Sequence, residues 1–481
     1  MNDYKSHKLY VLPEKNFLKS EKENASISEE EQQEMEEICQ KIVNTFASFN
    51  IRVIPEEILR GPTVTRYELL YPAQKKSIRT LTQYRQDIAL ATQSKYVNFL
   101  LPIPGKNAIG IEIVNRKRKY IPLGEIVNVA EFFSPSIHIP IPMGKDMQGY
   151  PIIEDLTTMP HLLAAGNACS GISGFIDSIL ASLLLKFHPD ELQLILVDTY
   201  CTRLQLFAKL PHLIFPPITN THTKPETMLD WCIKEIEHRH QCFVKTGTYD
   251  IEAFNKREKT LSTPTSQGNI PQYFPYIIII IDDLADLMEK KETIKHHIAE
   301  LTRTGHTAGI HLILATRNPS TEILIPSIKA FIHARVAFHV NSPTASHLIL
   351  ERGGAENLWG EGDMLYRKTP FSQEKRIQSA FISEDEVQML TNHCSRQITP
   401  APIPCTRKKE EENDTSSSED EECYLKSLKV VLAEKKASTS LLQRRLLIGY
   451  ARAAKMMDLL EIRGVIAPAD NSNRPRRVLI Q

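Results

Sequence analysis

Between about Ile139 and Glu386 short apolar runs alternate with segments of helical period. HLLAAG, LQLILVD, YIIIIIDD, HLILATR and ARVAFHV are apolar without interruption and of strand length. Strands buried on both faces of a parallel sheet read this way, whereas half-exposed strands alternate. Amphipathic stretches such as GFIDSILASLLLKF lie between them. Strands alternating with helices predict a doubly wound α/β core over residues 131–398.

The pattern changes on either side. Between Ile51 and Val127 short alternating segments such as TVTRYELLYP and YVNFLLPIP are broken by Gly and Pro, with one helical run near QDIALATQ. A small α+β domain over residues 34–130 is expected, starting at a helix near Met35. Residues 1–33 are polar and aperiodic, and are expected to form a disordered tail. Residues 399–422, Pro-rich and then acidic, read as a linker with too little apolar surface to fold. Helical periodicity resumes over residues 423–481, which end in a basic, strand-like RPRRVLI.

Composition adds limits rather than identity. Hydrophobic residues are 42% and charged residues 24% of the 481, which supports packed cores. The 8 cysteines are scattered without a CxxC pair, so a reducing cytoplasm is the simplest compartment. His238, His240 and Cys242 alternate in EHRHQC, but period two on a helix spreads them around its surface, and no metal is expected there. The longest apolar run, PYIIIII, is far too short to cross a bilayer, and the N-terminus has no leader-like apolar region, so no membrane segment is expected. Net charge is zero, yet from Cys423 onward 12 Lys or Arg stand against 4 Asp or Glu. That imbalance on a small domain points to a polyanion.

Two segments carry candidate chemistry. HLLAAG runs into GNACSGIS and then a helix, the context of a phosphate-binding loop, in which glycines let backbone N–H groups and a helix N-terminus surround phosphates. The candidate residues are Gly166, Asn167, Ala168, Cys169, Ser170, Gly171, Ile172 and Ser173, with Ile172 where such loops place lysine. A glycine turn between strand and helix is also just a way to turn a corner. The strand IIIII ends in Asp282 and Asp283, placed as a magnesium-orienting and a water-activating carboxylate would be. Two solvated acids at a strand end are the plain alternative.

Taken together, the order of motifs resembles the FtsK/SpoIIIE family of hexameric double-stranded-DNA motors. GPTVTRYEL and LPIPGKNAIGIEI resemble its small α domain; MPHLLAAG, LDWCIKEIEHR, DDLADLM, AGIHLILATRNPS, IKAFIHARVAF and GAENLWGEGDMLY resemble its motor domain. KASTSLLQRRLLIGYARAAKMMDLLEIRGVI followed by RPRRVL is similar to its winged-helix γ domain. The resemblance implies a RecA-like P-loop NTPase core, a small α+β domain before it and a C-terminal winged helix. It implies ATP and Mg2+, the ion held by Ser173 and Asp282, with catalysis by Asp282 and Asp283. It also implies Arg335 at a subunit boundary, and double-stranded DNA held by Gln443, Arg444, Arg445, Arg452, Lys455, Arg474, Arg476 and Arg477. The family's membrane anchor has no counterpart in the matching segments.

Departures from the family pattern cluster at the chemistry. Ile172 replaces the loop lysine, and Asp283 stands one methylene short of a glutamate. Tyr200 and Arg203 replace a lysine and a glutamate, Arg317-Asn318 replaces Gln-Arg, and His347 replaces an arginine. Framework positions such as Leu162, Trp231, Ala285, Leu314, Phe338, Gly354 and Met364 keep the family residue or a similar one. Two functions are consistent with this. One is a DNA-binding ring subunit with impaired ATP hydrolysis, in a homo-hexamer or a mixed hexamer with an active paralogue, serving chromosome segregation and cell division. The other is an active translocase whose phosphate loop borrows another cation, for which Lys145 is a candidate.

Overall fold

The computed structural model describes residues 10–19, 28–72, 77–103, 105–116, 118–198, 203–219, 225–260, 271–290, 292–397 and discontinuous positions within 427–478. The chain divides into two compact units, Met1–Pro402 and Ile403–Gln481.

The first unit begins with residues expected to be a disordered tail. Residues 10–19 are instead strapped to the end of the unit, because Tyr10, Phe17 and Leu18 supply apolar anchors that the polar average conceals. Leu18 is buried, Val11 N–H donates to Gln397 Oε1 at 2.6 Å, and Lys19 N–H donates to Glu386 Oε1 at 2.7 Å.

Helix α1 (Glu29–Ser48) starts at a capping box formed by Ser28 and Glu31. It packs with α2 (Arg85–Thr92) on an antiparallel sheet of β1 (Ile54–Arg60), β2 (Val64–Leu70), β3 (Val97–Leu100) and β4 (Ala108–Val114), in the order β1-β2-β4-β3. Period two decides which residues meet the helices. Tyr67 and Leu69 on β2, with Ile109, Ile111 and Ile113 on β4, join Ile42, Phe46 and Ile88 in one core.

This small domain ends before residue 121, earlier than the expected boundary at 130. β5 (Ile121–Pro122) already pairs with the large sheet, and α3 (Leu123–Val127) buries Leu123, Ile126 and Val127 in that sheet's core.

The large sheet has a parallel half and an antiparallel half. The parallel strands are β8 (His161–Ala165), β9 (Leu192–Val197), β10 (Tyr276–Ile281), β11 (Ile310–Thr316) and β12 (Ala334–Phe338), in the spatial order β12-β8-β11-β10-β9. Beyond β12 follow β13 (Asp363–Arg367), β14 (Lys375–Phe381), β6 (Pro140–Asp146) and β7 (Pro151–Asp155), each antiparallel to its neighbour.

The unbroken apolar runs have a direct cause. Ile278 and Ile280 enter one core while Ile277, Ile279 and Ile281 enter the other, so every residue of β10 after Tyr276 is fully covered. On the first face lie α4 (Ile172–Lys186) and α11 (Glu384–Ser395); on the second lie α5 (Pro225–Thr246) and α8 (Glu292–Thr304). Among the described residues the remaining α-helices of this unit are α6 (Ile251–Thr260), α7 (Leu284–Lys290), α9 (Pro326–Lys329) and α10 (Pro343–Leu350). Among the described residues no helix is long and apolar enough to cross a membrane.

In the second unit β15 (Lys436–Ala437) pairs antiparallel with β16 (Arg476–Arg477), and α12 (Thr439–Leu446) follows β15 directly. Leu442 packs with Ala453, Met456, Met457 and Leu460, whose spacing is that of one helix face. A strand pair beside packed helices is the layout of a winged helix.

Candidate nucleotide-binding site

The order of the parallel strands sets the site. β11 lies between β8, which leads into the glycine loop, and β10, which ends at the acid pair. The residues that immediately follow these three strands, Gly166, Arg317 and Asp282, therefore stand side by side at one edge of the sheet. Ligands of open α/β sheets bind at such carboxyl ends.

The loop is built by close backbone approaches. A Cβ on Gly166 would stand 2.7 Å from that of Phe338 on β12, and one on Gly171, where φ is +114°, would meet the Gly362 nitrogen at 2.3 Å. No side chain fits at either place. Asn167 N–H donates to His339 O at 2.8 Å, and Ser170 Oγ donates to Asn167 O at 2.7 Å. Gly362 N–H donates to Ser170 O at 2.8 Å, locking the loop against the turn before β13. Ala168 and Cys169 form the exposed tip. The N-terminus of α4 then opens onto a cavity of about 480 Å³, whose wall includes Gly171, Ile172, Ser173, Arg203 and Arg317, with Gln378–Phe381 of β14 opposite. Free backbone amides at the start of a 15-residue helix fit a phosphate group.

The side chains depart from that fit. Ile172 is 2% exposed and belongs to the first core, so the position of the missing lysine is turned into packing. Arg317 lies between the expected magnesium ligands. Its Nη2 donates to Ser173 Oγ at 2.8 Å and to the two carboxylate oxygens of Asp282 at 3.0 and 3.1 Å, while Nη1 donates to Asp282 O at 2.9 Å. Asp282 is buried, where a carboxylate needs such a partner. Magnesium requires oxygens at about 2.0–2.1 Å in an octahedron. With a guanidinium bridging Ser173 and Asp282, these residues do not fit that ion.

Asp283 is occupied as well. It accepts from Ala285 N–H at 3.1 Å at the start of α7, and burial pushes its carboxyl above the ordinary value. Arg203, in place of a glutamate, forks onto Asp177 of α4, with Nε donating at 2.6 Å. Burial raises Asp177 to about 6 against the pull of that guanidinium. Asp198 accepts from the backbone of Arg203 and Leu204 at 3.0 and 3.1 Å. Tyr200 lies outside the described residues.

Two further cations take structural places. Lys145 pairs with Glu125 and does not line the cavity. Arg335, expected at a subunit boundary, is 3% exposed. Its nitrogens donate to the carbonyls of Lys329, Ile332 and Ile349 and to Glu351, so it is folded inward. His347 bonds back to Pro343 O at 2.9 Å.

In the second unit Arg444 and Arg445 are exposed on α12, Gln443 is half-buried, and Arg445 pairs with Glu434. Arg476 and Arg477 are paired in register with Ala437 and Lys436. Arg452, Lys455 and Arg474 lie outside the described residues.

Reading residues one at a time misses the two arginines on the cavity. Their signal was in the sequence: two polar positions became cationic in the same chain in which the loop lost its lysine.

A glycine loop after one parallel strand, acids after another and a third strand between them define a RecA-like P-loop NTPase fold. The FtsK/SpoIIIE family profile matches residues 122–321, the FtsK alpha domain residues 12–115 and the FtsK gamma domain residues 418–481. The chain belongs to the FtsK/SpoIIIE family. It is 37% identical over 480 residues to a DNA translocase FtsK of Corynebacterium glutamicum, covering 98% of this chain and 51% of that one. A DNA translocase FtsK of Bacillus anthracis is 36% identical over 483 residues, covering 98% and 59%. The chain thus spans between half and three-fifths of the length of these relatives. Among solved structures, the pCW3 conjugation coupling protein TcpA, in its monomer form with ATPγS, shares the fold with a TM-score of 0.51 at 18% identity, covering 75% of this chain and 99% of that one.

Proposed function

We propose that this chain is a DNA-binding subunit of an FtsK-type ring that holds ATP but hydrolyses it negligibly. One observation carries the reading: Arg317 occupies both Ser173 and Asp282 while Ile172 leaves the loop without its own cation. Phosphoryl transfer depends on charges placed around the γ-phosphate and on an oriented nucleophile. Here the loop cation is gone, the metal ligands are engaged, and Asp283 is short and spent on a backbone N–H.

The rest of the chain supports a binding role. The second unit presents Arg444 and Arg445 exposed on α12, cations suited to the phosphates of double-stranded DNA, and Arg476 and Arg477 lie in its strand pair. In this reading the chain works in the cytoplasm as part of a hexamer, of its own kind or mixed with an active paralogue, during chromosome partition and cell division. Since Arg335 is internal, packing rather than a reaching arginine holds the ring at this position.

A second reading draws on the same cavity. Arg317 and Arg203 are cations on its wall, so an active translocase could use one of them in place of the loop lysine. Phosphate release from ATP, measured with and without duplex DNA, separates the two. Release far below about 1 s⁻¹ in both conditions fits the binding subunit; DNA-stimulated release at or above that rate makes the chain a motor.

A further inference from the structure

We propose that the Arg317 guanidinium takes the place of the divalent metal, so that this cavity binds the triphosphate of a nucleotide without magnesium. The inference rests on the nucleotide reading above and concerns which cation meets the phosphates.

One nitrogen of Arg317 is within 2.8 to 3.1 Å of Ser173 Oγ and both carboxylate oxygens of Asp282, and its neighbour holds Asp282 O at 2.9 Å. A metal bridging Ser173 and Asp282 would need the same space and the same lone pairs. Guanidinium and ion therefore exclude each other. The arrangement follows from topology, because Arg317 is the first residue after the strand that separates the loop strand from the acid strand. No loop rearrangement is needed to bring it there, and withdrawing it would strand a buried carboxylate.

The chemistry is suited to the exchange. An arginine is charged at every accessible pH, and its planar fork matches phosphate oxygens as well as carboxylates. Its side chain stays 28% exposed on the cavity wall, so it can meet an anion while remaining paired with Asp282. The N-terminus of α4 and the loop amides supply the remaining donors, as they do for phosphates generally. Arg203, tied to Asp177 on the same wall, adds a second fixed cation. Ile172 needs no charge in such a site.

The test is equilibrium binding of a fluorescent N-methylanthraniloyl derivative of ATP to the full chain, in EDTA and in excess Mg2+, with Mn2+ binding followed separately by electron paramagnetic resonance. The wild type should bind the nucleotide equally well within about twofold in both conditions and hold no Mn2+. Arg317→Gln should lose at least about tenfold in EDTA, as expected for a charge-assisted contact, recover in Mg2+, and acquire bound Mn2+. Should Arg317→Gln not fold, Ser173→Ala serves instead: any loss should be the same in EDTA and in Mg2+, whereas a metal-holding serine would give a loss confined to Mg2+. Wild-type affinity rising about tenfold or more with Mg2+, or Mn2+ bound to the wild type, overturns the inference and leaves the nucleotide reading standing. Absence of nucleotide binding by the wild type in every condition overturns both.

Discussion

Arg376 on β14 and Glu112 on β4 form a buried ion pair that fastens the small domain to the large sheet. Arg376 also forks onto Asp363, with Nε and Nη2 donating at 3.0 and 2.6 Å. Glu112 accepts from Arg66 Nη2 at 2.8 Å and Asn98 Nδ2 at 3.0 Å. Burial alone would raise the Glu112 carboxyl, but Arg376 and Arg66 outweigh it and hold it below its usual range. Two residues along β14, Gln378 accepts from Thr63 of the small domain and donates to Glu361 O at 2.9 Å. The same Gln378 lines the cavity beside the glycine loop, so the small domain is fastened to the rim of that cavity.

Arg376→Met should therefore destabilise the first unit by about 3–5 kcal/mol, since it leaves Glu112 and Asp363 buried without their partner. The double change Arg376→Met with Glu112→Leu should cost clearly less than the two single changes added together. Urea unfolding followed by tryptophan fluorescence measures both. Strict additivity would show that the pair is not coupled.

Stability should fall on acidification below pH 6.5. Burial lowers His161 to about 3 and His212 and His311 to about 4. Above pH 6.5 all three are neutral in both states and contribute no pH dependence. Between pH 6.5 and about 4 the unfolded chain takes up protons that the folded chain cannot, so stability is lost as pH falls, by about 2 kcal/mol per histidine at pH 5. His212 donates to Phe187 O at 3.0 Å, and His212→Gln should remove one such share of the slope. Urea midpoints at pH 7, 6 and 5 provide the check, and a midpoint that rises at pH 5 would contradict the account.

The parallel half of the sheet was legible because burial on both faces writes itself as unbroken apolar runs, as in the isoleucines of β10. The loop and the acid pair were legible because each directly follows such a run. The bridge from Arg317 to Asp282 was not, because it depends on β11 lying between two strands remote from it in sequence, and no local pattern encodes that neighbour relation. The inward bonding of Arg335 was hidden for a related reason. Nothing local in ARVAFHV signals its inward partners, because Glu351 and three carbonyls meet it only once α9 and α10 fold back. Residues 10–19 were lost in a polar average that hid Leu18.

Nucleotide should shield Cys169 from alkylation. Cys169 is exposed at the tip of the loop, with φ of +61°, while Cys39, Cys232, Cys242 and Cys394 are buried. Iodoacetamide labelling mapped by peptide mass spectrometry should be at least about tenfold slower at Cys169 in saturating ATP, the reduction expected when bound ligand leaves under a tenth of the sites free. An unchanged rate under saturation would place the phosphates elsewhere.

Duplex DNA binding by the full chain should weaken steeply with salt. If Arg444 and Arg445 on α12 each neutralise one phosphate, replacing both by alanine should reduce the slope of log K against log salt by about two units. Fluorescence anisotropy across a salt series measures the slope. A wild-type affinity indifferent to salt would rule out this surface as the DNA site.

Repairing the loop alone should not restore hydrolysis. Ile172→Lys adds a cation near the phosphates, but Arg317 still holds Ser173 and Asp282, so no metal can enter between them. Asp283→Glu adds the missing methylene, yet without the loop cation it gains nothing to act on. Arg317→Gln frees Ser173 and Asp282 but removes the cation that bridges them, and the loop still lacks its own. Residues that act as one constellation fail together, and each single repair leaves the others limiting. The three single variants should therefore release phosphate no faster than the wild type. Ile172→Lys, Asp283→Glu and Arg317→Gln combined, with Mg2+ and duplex DNA, should be the first form to show DNA-stimulated turnover. Phosphate release across this series is decisive: turnover by Ile172→Lys alone would mean that the arginine bridge opens during the cycle, and turnover by the wild type would mean that the bridge is itself part of a working motor.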